Sequence, residues 1–234
     1  MDSTPGATLG RMDLGARIAA VEERIQRACA RAGRRRDEVT LLAVTKVFPA
    51  QAILDAYALG LREFGENYVQ EFETKAPQVR PLAGARFHLI GHLQSNKSHR
   101  AAELFDVVQT VDSAKLARRL AAEGRSFEVM IEVKLSEEQS KYGCAPAEVP
   151  ALVELIRAER CLTLTGLMTM PPWSDDVEAA RPYFQKLRAL ARQVGVQGLS
   201  MGMSHDLETA IEEGSTMVRI GTALFGSRRR ENQA

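Results

Sequence analysis

Short apolar runs alternate with helical segments along almost the whole of this 234-residue chain, and this alternation constrains the fold most. Strands that alternate with helices pair in parallel through right-handed crossovers. Eight runs have the length and composition of buried strands. They cover residues 41–46, 62–65, 87–91, 107–111, 128–135, 163–170, 199–203 and 217–225. Eight such units in about 200 residues favour an α/β fold, a single (β/α)8 TIM barrel, over an open doubly wound sheet.

Helical periodicity fills the intervals between these runs. Residues 12–32 place Leu14, Ile18, Val21 and Ile25 at helical spacing, which predicts an extra helix before the first strand. An arginine run follows this helix and is interpreted as a solvated connection. Proline, serine and glycine residues mark the ends of several later helices. These are predicted over residues 49–59, 67–75, 96–104, 113–123, 146–159, 175–194 and 206–213.

Composition and charge exclude several classes of protein. The 31 Lys and Arg residues balance 30 Asp and Glu residues, which is not the charge of a strongly basic nucleic-acid-binding protein. No apolar run reaches the ~18 residues of a membrane span, and the first ten residues lack the features of a secretory signal. The three cysteines form no C-x-x-C pair, so we expect no metal site and a reducing, cytoplasmic location. We expect one domain over residues 12–227, with a frayed tail at 1–11 and a polar tail at 228–234.

Lys46 ends the first predicted strand, in the segment LLAVTK. An ammonium beside a buried-strand pattern is unusual, because lysine is almost never fully buried without a partner. The C-terminal ends of barrel strands are where active sites are built. Apolar surroundings there would favour the neutral amine, which can attack a carbonyl to form a Schiff base. The alternative is a lysine that reaches past the strand end into solvent.

The last two predicted strands end in groups that suit an anion. Ser204 stands before the helix predicted over residues 206–213, whose free amides favour negative charge. Gly221 and Thr222 lie in the last apolar run, where glycine lets main-chain amides approach a ligand and threonine adds a donor. TIM barrels often bind phosphate with the loops after strands seven and eight. The alternative is that Ser204 is an N-cap and Gly221 a bend.

Arg219 alternates with Met217 and Gly221 on one face of its strand. If that face is inward, the guanidinium enters the barrel mouth, where a buried arginine needs a partner. A pyridine-ring nitrogen is one candidate acceptor. A carboxylate, from Glu66 or Glu132, is the alternative.

Six segments occur in an order and at spacings that closely resemble the YggS/PROSC family of pyridoxal-phosphate homeostasis proteins. They are LLAVTK, EFGENYVQE, FHLIGHLQSNK, SKYG, TGLMTM and SMGMSHDLETAIEEGSTMVRIGTALFG. The resemblance covers residues 14–226. It implies a (β/α)8 barrel similar to the N-terminal domain of bacterial alanine racemase.

The resemblance also implies a cofactor and its contacts. Pyridoxal 5′-phosphate would be held as a Schiff base on Lys46. Its phosphate would contact Ser204, Gly221 and Thr222, and Arg219 would face its pyridine nitrogen.

Other family positions shape the rest of the expected site. The resemblance places Asn67 near the cofactor, and Met203 with Gly202 on one wall. Lys141 matches a family lysine that influences cofactor handling. Two residues depart from the family pattern: His92 stands where many relatives carry proline, and Tyr142 replaces a small or polar residue. His88 and His92 are four apart, but we interpret them as structural rather than as a metal pair.

The resemblance predicts a pyridoxal phosphate-binding protein of vitamin B6 homeostasis, without evident catalysis. Racemisation needs acid–base groups on both faces of a substrate. Alanine racemase takes its second group, a tyrosine, from a C-terminal β-domain for which this chain has no room. The expected partners are pyridoxal phosphate and apo-enzymes that receive it; we expect a monomer that binds no nucleic acid and no membrane. The alternatives are a low-activity amino-acid racemase and a Schiff-base aldolase acting on a phosphosugar.

Overall fold

The computed structural model describes residues 11–136 and 142–226, with side chains from Leu14 onwards. Within these residues, eight strands alternate with α-helices, as the sequence predicts. The strands are β1 (Thr40–Val44), β2 (Glu63–Glu66), β3 (Arg86–Leu89), β4 (Val107–Val111), β5 (Phe127–Glu132), β6 (Leu162–Met168), β7 (Gly198–Met203) and β8 (Met217–Ile220). The helices are α1 (Arg11–Arg31), α2 (Ala50–Ala58), α3 (Val69–Val79), α4 (Ser98–Leu104), α5 (Ala114–Ala121), α6 (Val149–Ala158), α7 (Arg181–Gln193), α8 (Leu207–Glu212) and α9 (Thr222–Phe225).

The strands form a closed parallel barrel in the order β1 to β8. Closure comes from β1, which pairs in parallel with β2 on one side and β8 on the other. Across the closing pair, Leu42 lies opposite Arg219 and Ala43 opposite Ile220. This confirms the predicted TIM barrel, in which all C-terminal strand ends meet at one mouth.

Alternate residues of β1 belong to two different apolar clusters. Leu41 and Ala43 join the large apolar core that lies between the barrel and its helices. Leu42 and Val44 form a separate small cluster with Ile90, inside the barrel. Several buried residues of the strands are polar, among them His88, Gln109, Ser200 and Arg219.

The first helix covers one side of the barrel. It packs against α8 and α9, with Leu14, Val21 and Ile25 of its predicted apolar stripe buried and Ile18 partly buried. Arg24 adds two bonds to the carboxylate of Glu208, at 2.7 and 2.8 Å. Burying one large apolar side chain contributes about 1.5–3 kcal/mol, so the stripe, more than the ion pair, holds α1 in place.

The arginine run after α1 is not simply solvated. Arg34 donates to the main-chain oxygens of Ile211 and Ser215, at 3.0 and 2.8 Å. Arg36 makes two bonds to Glu22, at 2.7 and 2.8 Å. The prediction of a solvated connection was therefore wrong for these two residues, because main-chain carbonyls of α8 and of the loop after it, and a carboxylate of α1, lie within their reach.

Five predicted strands end earlier than their apolar runs, and two of these differences concern the site. The last run divides at Gly221: β8 ends at Ile220, and two main-chain amides of α9 bond to the Gly221 oxygen at 3.0 and 2.9 Å. In the first run, β1 ends at Val44, so Lys46 lies in the turn after the strand instead of at its end. Both changes put predicted site residues into loops at the barrel mouth.

Helix boundaries differ by a few residues from the predicted ones. The helices expected at 146–159 and 175–194 each begin with a short 3-10 turn, at Pro146–Glu148 and Val177–Ala180. Across the described ranges, no helix is both long and apolar enough to cross a membrane. Residues 1–10 and 227–234 lie outside the description, so the predicted tails and the single-domain limits stay predictions.

Candidate functional site

A cavity of about 550 Å³ opens at the barrel mouth. Gly202, predicted beside Met203 on one wall, does not line this cavity. The lining does include all seven described residues of the predicted cofactor-binding set. They are Lys46, Asn67, Met203, Ser204, Arg219, Gly221 and Thr222. Lys141, predicted to influence cofactor handling, lies outside the described residues. The loops after β1, β2 and β7 therefore meet β8 and its following loop at one place.

Six further residues, which the sequence did not predict for the site, also line the cavity. They are Val44, Ile90, Met170, Trp173, His205 and Ala223. The Trp173 ring lies 4.8 Å from the His205 ring, centroid to centroid, and remains 71% exposed. No periodic pattern in the sequence marks Trp173, because it follows two prolines in a loop. Its contact with His205 depends on the fold, which brings two loops together.

The turn that carries Lys46 is fixed on both sides. Before it, the Thr45 amide donates to the Gly65 oxygen at 2.9 Å. After it, Val47 has a φ of 63°, a left-handed conformation that is rare for a β-branched residue. The Val47 amide donates to Glu71 Oε1 at 2.5 Å. These bonds limit the positions that the Lys46 amine can reach.

A buried ion cluster holds this turn from behind. Lys75 Nζ, on α3, donates to the Thr45 oxygen at 3.0 Å, to both Glu66 oxygens at 2.9 and 3.1 Å, and to Glu71 at 2.6 Å. Burial raises the pKa of Glu66, and the charge of Lys75 and the Thr45 hydroxyl oppose that rise. Glu66 is thus committed to Lys75, and the alternative that it pairs with Arg219 is wrong.

Arg219 lies deep in the mouth and is 3% exposed. Its Nη1 donates to Ser200 Oγ at 2.8 Å and its Nη2 to the Thr169 oxygen at 2.9 Å. Burial lowers the pKa of Arg219 to about 10, against the opposing charges of Asp206 and Glu132. The guanidinium therefore remains a cation at neutral pH. The alternation of the sequence placed Arg219 on one face with Met217 and Gly221, which the structure shows to be inward, but it predicted neither of these two acceptors.

The loops after β7 and β8 are joined at the cavity wall. Ser204 Oγ accepts a hydrogen bond from the Ala223 amide at 3.2 Å. Gly221 and Thr222 lie on the same wall. Ser204 therefore bonds to α9, and the alternative that it caps the helix after β7 does not describe its contact.

The start of α8 does not reach the cavity. The cavity lining on this segment ends at His205. Asp206 follows, and its Oδ1 accepts a bond from the Met203 amide at 2.6 Å. The groups that face the cavity and could hold an anion are therefore Ser204 and the Gly221 loop, not the start of α8 as the sequence predicted.

A second cavity of about 490 Å³ adjoins the first and shares three lining residues with it. Glu132 lines it, and its Oε2 is buried without a hydrogen-bond partner in the described chain. Burial raises the pKa of Glu132 to about 7; the charge of Asp112 adds to the rise and Arg219 opposes it. This carboxyl can therefore gain or lose a proton near neutral pH.

The two departures from the family pattern contact each other. The rings of His92 and Tyr142 stack, with centroids 3.8 Å apart and planes 10° apart. His92 Nδ1 also lies 3.7 Å from Asp112 Oδ2. His88 is inside the barrel and bonds to other groups. Over residues 11–136 and 142–226, no three His, Cys, Asp or Glu residues are placed to hold a metal ion.

Sequence comparison relates the chain to proteins of known family. The family described as "Alanine racemase, N-terminal domain" matches residues 17–229. The chain is 46% identical over 217 residues to the pyridoxal phosphate homeostasis protein of Pseudomonas aeruginosa, covering 90% of this chain and 94% of that protein. It is 44% identical over 227 residues to the Escherichia coli K12 protein of the same name, covering 92% and 97%.

Solved structures show the same architecture. PipY of Synechococcus elongatus with PLP bound is 35% identical, with a TM-score of 0.80, covering 91% of this chain and all of that one. Alanine racemase of Corynebacterium glutamicum is 20% identical with a TM-score of 0.64, covering 90% of this chain and 61% of that one. The second similarity is one of fold.

The Lys75 cluster generates a stability prediction. Lys75→Met leaves the Glu66 carboxylate buried without its cation, so we expect the free energy of unfolding to fall by about 3–5 kcal/mol. Adding Glu66→Gln removes the unpaired charge and should recover part of this loss. Denaturant unfolding measures both. The control is Lys186→Met, on an exposed lysine, and an equal loss in Lys75→Met and this control would contradict the prediction.

Glu132 generates a pH prediction. Between its ordinary pKa of 4.5 and about 7, the folded chain keeps a proton that the unfolded chain releases, so stability falls as pH rises through this window. Glu132→Gln has no carboxyl to titrate at this position, so its stability does not fall in this window. We expect the variant to gain up to about 3 kcal/mol over the wild type between pH 5 and pH 8 in unfolding measurements. Glu128→Gln, a partly exposed carboxylate near the N-terminal end of the same strand, is the control and should keep the wild-type profile; identical profiles for both variants would refute the assignment.

Proposed function

The chain belongs to the alanine racemase N-terminal domain family and, within it, to the pyridoxal phosphate homeostasis proteins, and from this we propose that it binds pyridoxal 5′-phosphate at the barrel mouth. In this proposal it takes part in the homeostasis of this vitamin B6 cofactor, without evident catalysis. One observation carries the proposal: Lys46, Arg219 and the Ser204 loop converge on a single cavity.

The residues present fit the cofactor. Pyridoxal phosphate carries an aldehyde, a ring nitrogen and a phosphate. Lys46 offers a primary amine for the aldehyde, and Arg219 offers N–H donors deep in the cavity for the ring nitrogen. Ser204 and Thr222 offer hydroxyls for the phosphate, beside the small residue Gly221. A volume of about 550 Å³ is that of an ordinary small-molecule site.

The surroundings of Arg219 favour binding over catalysis. When bound, pyridoxal phosphate supplies a ring that withdraws electrons from an attached amino acid. Arg219 is a cation, held in place by hydrogen bonds to Ser200 and Thr169. A cation facing the ring nitrogen opposes protonation of that nitrogen and weakens the withdrawal. Asn67 and Met203 also line the cavity. The role of Lys141 in cofactor handling stays a prediction.

The attachment residue is tested by absorption. After incubation with pyridoxal phosphate, the wild type is expected to gain a visible absorption band that borohydride removes, and mass spectrometry should find the reduced cofactor on the peptide containing Lys46. Lys46→Ala should lose both signals because it lacks the amine. Lys186→Ala, on α7 away from the cavity, should behave as the wild type. A wild type without a band would overturn the proposal.

Delivery is tested by transfer. We propose that the chain acts as a monomer and passes its cofactor to pyridoxal phosphate-dependent apo-enzymes. The loaded protein should then activate an apo-enzyme faster than an equal amount of free cofactor; equal or slower activation would reject delivery and leave buffering. A chiral assay with L-alanine provides the other test, since conversion that depends on Lys46 would favour the low-activity racemase instead.

A further inference from the structure

A chain of hydrogen bonds crosses the inside of the barrel. It runs from Glu63 to His88 at 2.5 Å, to Gln109 at 2.8 Å, to Ser200 at 2.6 Å and to Arg219 at 2.8 Å. Gln109 is on β4 and Ser200 on β7, which are not neighbours in the sheet, so their bond spans the interior. The chain connects the two ends of the barrel.

Chemistry fixes the direction of every bond in this chain. Arg219 can only donate, so Ser200 Oγ accepts from it and gives its single hydrogen to Gln109 Oε1. The Gln109 amide nitrogen then faces His88 Nδ1, which must accept and carries no hydrogen. The hydrogen of the His88 ring is on Nε2 and points to the Glu63 carboxylate.

A fifth contact supports this orientation of the Gln109 amide. Its Nε2 lies 3.1 Å from Met217 Sδ, and a thioether sulfur accepts hydrogen bonds but cannot donate them. The flipped amide would turn an oxygen toward this sulfur. It would also leave the Ser200 hydroxyl without the acceptor that Gln109 provides. All donors therefore point from the cation of Arg219 toward the anion of Glu63.

The two ends of the chain have different surroundings. His88, Gln109, Ser200 and Arg219 are each 3% exposed or less, whereas the Glu63 side chain is 22% exposed. Glu63 lines a cavity of about 240 Å³ at the N-terminal ends of the strands. Arg219 lines the mouth. This chain of hydrogen bonds therefore connects a partly exposed carboxylate at one end of the barrel to the guanidinium at the mouth, and all of its bonds point in the same direction.

We propose that His88 and Gln109 are positioning residues that set the direction of the Arg219 guanidinium at the cofactor site. This rests on the proposed function, because Arg219 has that role only when the cofactor binds at the mouth. The Ser200 hydroxyl presents its lone pair to Arg219 because its hydrogen is taken by Gln109. Without Gln109, the buried hydrogen of the Ser200 hydroxyl loses its acceptor, and the hydroxyl rotates toward another one.

The direction of the chain is tested on the cofactor-free protein. In protein with ¹⁵N-labelled imidazoles, nuclear magnetic resonance at neutral pH should show His88 with a protonated Nε2 and a bare Nδ1. The loss of one set of signals in His88→Asn assigns it among the four histidines. A His88 protonated at Nδ1 would overturn the inference.

The effect on the site is tested with pyridoxal phosphate. Gln109→Leu and Ser200→Ala should each weaken binding about tenfold and shift the visible band, since each breaks the support of Arg219. Ser200→Thr keeps the hydroxyl and should restore both values. Ser98→Ala removes another buried hydroxyl, one that bonds Glu123 on the outer layer, and should change neither.

The outcomes separate this inference from the proposed function. Unchanged binding and an unchanged band in both Gln109→Leu and Ser200→Ala would reject the positioning role while leaving cofactor binding intact. A wild type that binds no cofactor would reject the proposed function and the positioning role together, and the imidazole signals would still decide the direction of the chain.

Discussion

Pairing of β1 with β8 is the constraint on which the rest of the molecule depends. It closes the sheet and places Leu42 opposite Arg219, two residues that are far apart in sequence. Because parallel strands end at the same face, closure also brings the turn of Lys46 beside the loop of Gly221. The site needs both ends of the barrel sequence, because its amine is on Lys46, in the turn after the first strand, and its guanidinium is on Arg219, in the last strand.

Two buried polar systems hold these halves in different ways. Behind Lys46, Lys75 forms a compact ion cluster that ties the main chain of the turn. Beneath Arg219, a series of hydrogen bonds through neutral side chains connects the guanidinium to the carboxylate of Glu63. A buried charge without partners is costly, so both systems satisfy their charges with bonds inside the protein. At the mouth, the Arg219 cation is therefore held by hydrogen bonds of its own side chain, whereas the Lys46 amine is positioned by the main chain of its turn.

Much of the fold and part of the site follow from the sequence. The alternation predicted the barrel, and the period of two placed Arg219 on one strand face with Met217 and Gly221, because local patterns report these features directly. The Lys75–Glu66 pair was not predicted, although Glu71 and Lys75 show the spacing of a helical ion pair. Ser200 and Gln109 could not be paired, since their contact depends on two strands facing each other across a closed barrel. The eighth run was read too long, because Gly221 interrupts an apolar sequence without changing its hydropathy.

Trp173 has a consequence for how this protein is observed. It is the single tryptophan of the chain, and it lies on the wall shared by the two cavities at the mouth. Indole emission from this protein therefore originates at the rim of the site and nowhere else. The molecule carries its own optical label, so that occupancy of the mouth can be followed by fluorescence without attaching a dye.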